Sequence, residues 1–151
     1  MRGVIAAVLL GALATAACSP AIKGLDEDVL HDEVSQAIGD ANTCVLLATA
    51  DGKVAWRYNT HITCARTLPD CAGGTTNVED LAKAAAKGDE RTVSCPSVEP
   101  NTVAWATGKV AAGKGADHPP LFYAAVMEGE RALPGREIAA RLDTAFADAG
   151  L

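Results

Sequence analysis

At 151 residues, 49% hydrophobic and 21% charged, the chain holds enough apolar material for one ordinary core and too little for two. Its formal net charge is −6, and its Lys and Arg residues are scattered, which argues against a nucleic-acid partner because polyanion binding depends on grouped cations that release counterions. Five cysteines, an odd count, leave one with a fate of its own in an exported chain.

The chain opens MRGVIAAVLLGALATAAC. A cationic start at Arg2, an apolar run from Val4 to Leu13 and small residues from Ala14 to Ala17 are the anatomy of a secretory signal peptide. The run is well short of the roughly 20 apolar residues a transmembrane helix needs, so residues 1–17 are set apart from the fold. Losing them removes Arg2 and leaves 12 basic against 19 acidic residues, a net charge of −7. Cys18 directly after Thr15-Ala16-Ala17 resembles the lipobox of bacterial lipoproteins, with Thr15 standing where that family usually carries leucine. The resemblance covers the first 18 residues. It implies a lipid on Cys18, a membrane anchor facing the periplasm and, with Ser19 next, outer-membrane sorting in a Gram-negative host. Cleavage after Ala16 is the alternative, and it would leave Cys18 as an exposed thiol, a reactive liability in an oxidising compartment. Residues 18–24 read as a tether and residues 25–151 as a single domain.

In that domain Asp26, Glu27 and Asp28 stand where a helix N-terminus favours negative charge, and Leu30, Val34, Ala37 and Ile38 recur at helical spacing up to Gly39. Thr43 to Tyr58 reads as two strands joined at Asp51-Gly52 by a type I′ turn. That turn would set Val45 opposite Tyr58, Leu47 opposite Trp56 and Thr49 opposite Val54, and it makes this hairpin the expected centre of the sheet. Residues 59–76 carry no period and read as a long loop. A capping box of Thr76 and Glu79 then starts a small alanine-rich helix through Val78, Leu81, Ala82, Ala85 and Ala86 to Gly88. Arg91–Cys95, Thr102–Val110 and Leu121–Glu128 read as strands, the last apolar on both faces and therefore interior. Pro134 opens a final helix with Ile138, Leu142, Ala145, Phe146 and Ala149 on one stripe. The expected fold is α+β, a five-stranded, mainly antiparallel sheet with N-terminal, middle and C-terminal helices in the order α-β-β-α-β-β-β-α.

With Cys18 set aside, Cys44, Cys64, Cys71 and Cys95 are expected to form two disulfides, each contributing roughly 2 to 4 kcal/mol. Three pairings are possible. Cys64 with Cys71 would clamp the long loop and Cys44 with Cys95 would close a large one, while strand geometry could favour another choice. The rival use of these residues is a metal or redox site of His61, Cys64, Cys71 and Cys95, which lacks any Cys-x-x-Cys. No metal or other cofactor is expected. His31 and His118 read as solvated rather than as general bases, and Asp26, Glu27, Asp28, Asp32 and Glu33 as a solvated helix face rather than a cation site. Trp56 and Trp105 read as core rather than as a ligand platform. Ser94 and Ser97 lie outside any Gly-x-Ser-x-Gly elbow.

Cys44 to Asn59 followed by Leu68-Pro69-Asp70-Cys71 resembles the first hairpin and active-site approach of the penicillin-recognising serine enzymes, the serine β-lactamases especially. Val103-Ala104-Trp105 through Met127 and the last helix is similar to their final strands and C-terminal helix. The resemblance covers about half the mature chain, and it departs from the family where catalysis is concerned. Where the family has Ser-x-x-Lys this chain runs Cys71-Ala72-Gly73-Gly74-Thr75, and of Lys-Thr-Gly only Thr107-Gly108 remains, after Ala106. The resemblance therefore implies a scaffold without its nucleophile and no covalent acyl-enzyme. The element order is also similar to roadblock and profilin-like domains, which bind partners. The sequence thus points to a small exported, disulfide-stabilised bacterial lipoprotein of the cell envelope with a non-catalytic binding or structural role, partnered by the membrane and by an unidentified envelope protein or small molecule. The alternatives are a hydrolase or remnant related to the penicillin-recognising enzymes, and a metal or redox module.

Overall fold

The computed structural model describes residues 22–113 and 116–151, so the expected signal peptide and Cys18 lie outside the described residues. The elements run α1 (Glu27–Ile38), β1 (Cys44–Thr49), β2 (Val54–Tyr58), α2 (His61–Cys64), β3 (Leu68–Pro69), β4 (Thr75–Thr76), α3 (Val78–Ala85), β5 (Arg91–Pro96), β6 (Thr102–Lys109), β7 (Leu121–Gly129) and α4 (Gly135–Asp148). The eight longer elements follow the expected order, and the fold is α+β. The stretch 59–76, expected as loop, instead folds into a single helical turn and a two-rung hairpin.

Five strands form one antiparallel sheet in the order β2-β1-β7-β6-β5. The centre is therefore β7, not the first hairpin, and β2 lies at an edge. Six of the nine β7 residues from Leu121 to Gly129 are apolar and fully or nearly buried besides Glu128, as a strand covered on both faces requires.

The first hairpin keeps Val45 opposite Tyr58 and Leu47 opposite Trp56, but Ala48 then faces Val54, so Ala55 is an extra residue and Thr49 is not opposite Val54. The turn explains the slip. A type I′ turn needs two left-handed residues, and here Gly52 alone has positive φ, +78°. The Gly52 N–H closes on the Thr49 carbonyl at 2.8 Å and the Thr49 N–H on the Lys53 carbonyl at 3.0 Å, which makes Ala50-Asp51 the turn centre and Gly52 the bulge residue after it.

Helices cover both faces of the sheet. On one side α1 and α4 bury Leu30, Val34, Ile38, Ile138, Leu142 and Phe146 against Val45, Leu47, Trp56, Tyr58, Tyr123 and Ala125. On the other, α3 buries Val78, Leu81 and Ala82 against Leu46, Val103, Trp105 and Val126. Fully burying side chains of the Val and Leu size contributes about 1.5 to 3 kcal/mol each, so both layers are real cores. Trp56 and Trp105 fall on opposite faces and cannot form one platform.

The helix ends follow from local chemistry. Asp26 caps α1, its carboxylate accepting from the Asp28 and Val29 N–H groups at 3.1 and 3.2 Å. The cap of α3 is Asn77 rather than Thr76: Asn77 Oδ1 accepts from the Asp80 N–H at 2.9 Å, and Asn77 Nδ2 donates back to Asp80 at 2.9 Å. Thr76 is held extended in β4 opposite Leu68, and Glu79 instead pairs with Arg57 at 3.1 Å. No side chain of its own caps α4, whose first N–H donates to Ser94 Oγ of β5 at 3.0 Å.

Tyr123 of β7 lies opposite Gly108 of β6 and tilts against Phe146 at a ring-centre distance of 5.5 Å. A Cβ at residue 108 would stand 3.1 to 3.3 Å from the Tyr123 ring and hydroxyl, so the ring occupies the space a larger residue would need. Burial first, then the carboxylates of Asp143 and Glu90, pushes the Tyr123 hydroxyl up to about 12. An unfolded tyrosine loses its proton near pH ~10, so this stabilisation is complete below that pH and is lost as the pH rises from ~10 through ~12. Urea midpoints measured on either side of that window should fall with pH, and more steeply for the native chain than for Tyr123→Phe. Parallel slopes for the two would refute the assignment.

Candidate functional site

The four cysteines expected to oxidise form two disulfides, Cys44–Cys64 and Cys71–Cys95, with Cα separations of 5.3 and 5.5 Å. The pairing differs from Cys64–Cys71 with Cys44–Cys95, and strand order is the reason. Cys44 lies on β1 and Cys95 on β5, with β7 and β6 between them. Three inter-strand steps span about 14 Å, roughly twice the reach of a disulfide. Each bridge instead fastens the stretch 59–76 to the sheet. Cys64 at the end of α2 is tied to β1, and Cys71 at the tip of the β3–β4 hairpin is tied to the edge strand β5.

Polar contacts complete the attachment. Asn59 adopts a left-handed φ of 75°, and its Nδ2 donates to the carbonyls of Asp40, Ala41 and Thr43 at 3.0 to 3.3 Å. The Trp105 indole N–H donates to the Pro69 carbonyl at 2.7 Å, docking β3 on the α3 side of the sheet. At the hairpin tip, Asp70 Oδ1 accepts from the Ala72 and Gly74 N–H groups at 2.8 and 2.9 Å. These two bonds hold its carboxyl below the usual carboxylate range.

Under this segment sits the one buried charged side chain among the described residues, Glu128 at the end of β7, with 7% of its surface exposed. Arg66, in the connection between α2 and β3, pairs with Glu128 Oε2. Ser97, just past β5, donates to Oε1 at 2.6 Å. Both carboxylate oxygens are thus satisfied, as a buried charge requires. Glu128 is also one of the residues that line an open polar cleft of about 400 Å³, together with Asp40, Asn42, Glu130 and Arg131. The cluster escaped the sequence reading, although one signal was present: Glu128 closes an apolar strand read as interior, and an acid there needs a partner.

The chemistry open to this cluster is narrow. Ser97 points at a carboxylate already neutralised by Arg66, and Ser94 spends its oxygen on the α4 N-terminus. His61 stands 3.9 Å from Glu79, His31 packs against Tyr58 with ring centres 5.1 Å apart, and His118 meets the Pro119 carbonyl at 2.9 Å. None of the three hydrogen-bonds a serine among the described residues, so no imidazole there stands beside a candidate serine nucleophile. The metal set of His61, Cys64, Cys71 and Cys95 has no thiolate left, because all three cysteines are in disulfides. Among the described residues no group of three or more His, Cys, Asp or Glu converges on a metal position. Of the acidic group at α1, Asp26 serves as the cap. Thr107, in the remnant of Lys-Thr-Gly, hydrogen-bonds the Asp89 carbonyl and the Arg91 N–H at 2.9 Å each, inside β6 rather than along the edge strand. Comparison with protein-family models, with curated proteins and with solved structures returns no match.

Proposed function

We propose that this chain is an exported, disulfide-stabilised lipoprotein of the bacterial cell envelope, whose α+β domain binds a partner or serves structurally without chemistry of its own. The observation that carries the reading is the use of the cysteines. Two disulfides take up Cys44, Cys64, Cys71 and Cys95, and the fifth, Cys18, follows the run of small residues. Oxidised pairs suit an exported domain, where thiols do not stay reduced.

The way the chain enters the domain is compatible with such an anchor. Lys23, a short step beyond Cys18, pairs with Asp117 at 2.8 Å in the β6–β7 connection, and Ile22 and Leu25 pack on the core beneath α1 and α4. A lipid on Cys18 would hold that end of the sheet toward the bilayer. The opposite end, with Glu128 and the exposed Ile62 and Val98, would then face away from it.

Mass spectrometry of the mature protein from its native host tests the reading. The expected N-terminus is a lipid-modified Cys18, and Cys18→Ser should move the protein from the membrane to the soluble fraction. An unmodified chain beginning at Ala17 would refute it.

A further inference from the structure

A second cleft, of about 370 Å³, opens at the far corner of the sheet, where β5 begins, β6 ends, β7 begins and α4 passes above. Strand alternation decides which side chains it receives. On β6, Ala104 and Ala106, with Val110 just past its end, belong to the core under α1 and α4, and Val103 and Trp105 to the core under α3. Gly108 therefore faces α4, whereas Thr107 and Lys109 face the other way. On β5, Val93 and Cys95 pack on the α3 side, so Thr92 faces α4 and Arg91 does not. Arg91 is moreover paired with Asp89.

What remains on the α4 side is Glu90, Thr92, Tyr123 and, from α4, Asp143, around a floor of Gly108. Tyr123 is 4% exposed, and its hydroxyl has no hydrogen-bond partner among the described residues. That hydroxyl lies directly over Gly108, 3.2 Å from where a Cβ would stand, which places it in the cleft. Glu90 and Asp143 are close enough to raise its pKa, and burial raises that of Asp143 itself. Neither carboxylate forms an ion pair among the described residues.

We propose that this cleft binds a small primary ammonium group, with Glu90 and Asp143 as counter-charges and the Tyr123 hydroxyl oxygen as the third acceptor. A primary ammonium carries three N–H donors, and the cleft offers three acceptor groups of two negative charges in all. A quaternary ammonium has no N–H to donate, so the arrangement selects against it. This proposal is independent of the lipid anchor, and its failure would leave the envelope reading standing.

The test is a nuclear magnetic resonance titration of the ¹⁵N-labelled full chain with ethylammonium chloride, following the Gly108 and Tyr123 amides. Sodium chloride and tetramethylammonium chloride at equal ionic strength serve as the controls. Ethylammonium should give saturable shifts confined to the cleft, and the controls should not. Asp143→Asn and Glu90→Gln, both at the surface, should each weaken binding about tenfold or more, the loss expected for one charge-assisted hydrogen bond. Tyr123→Phe keeps the ring over Gly108 and should weaken it by a smaller factor. Shifts no larger than those from sodium, an equal response to tetramethylammonium, or native affinity in a Glu90→Gln/Asp143→Asn double variant with a dispersed native spectrum would each overturn the proposal.

Discussion

Replacing Cys44 and Cys64 together by alanine should lower the unfolding free energy by about 3 to 5 kcal/mol, against about 2 to 3 for Cys71 and Cys95 treated the same way. Loop entropy alone does not separate the two bridges, because their sequence separations are 20 and 24 residues. Burial does. Cys44 and Cys64 are fully buried in the core beside Leu46, Val78 and Leu81, so deleting their sulfurs leaves a void as well as a free chain. Cys71 and Cys95 are partly exposed, and the hairpin they hold retains its Leu68–Thr76 pairing and the Trp105–Pro69 hydrogen bond. Urea unfolding of the oxidised domain and the two double variants measures both losses. Equal losses, or a larger one for the exposed pair, would contradict the role given to burial.

Arg66→Met should cost about 2 to 4 kcal/mol, because it strands a carboxylate that is 7% exposed with only Ser97 for company. The figure is kept below that for a wholly buried pair because 34% of the Arg66 side chain reaches solvent. The double variant Arg66→Met/Glu128→Leu should recover most of the loss, since removing both charges removes the desolvation penalty with them. Chemical denaturation of the two variants and of Glu128→Leu alone closes the cycle. A double variant as unstable as Arg66→Met would mean that the pair stabilises the fold outright rather than satisfying a charge already buried.

Much of the fold is legible because the signals are local. The spacing of Leu30, Val34 and Ile38, the alternation around Trp105 and the apolar run from Leu121 each mark an element that exists, and Val45 and Leu47 find their expected partners. The misses involve distance. Which cysteines meet depends on β7 inserting between β1 and β6, and nothing in the residues around Cys44 or Cys95 encodes that insertion. Asp-Gly also serves two turns, and only the backbone angle at Asp51 tells them apart. The capping box slipped by one residue because Thr76 is claimed by a strand rung two residues long, too short to leave a period. The Glu128 and Tyr123 clusters join residues from elements far apart in the chain, and of their members only Glu128 was conspicuous by itself.

The place of β7 also governs when the sheet can come into being. During synthesis the β1–β2 and β5–β6 hairpins can each zip as soon as they are made, since their partners are neighbours in the chain. The strand that joins them is the last, so β1 and β6 present open edges until residue 121 and beyond have emerged. Until then Leu46 and Leu47 have no strand on their inner side, and the two hairpins are free to pair wrongly with each other. A chain cut short before Leu121 keeps every cysteine and both hairpins yet has no means of uniting them, so a nascent or truncated form is the species most exposed to aggregation.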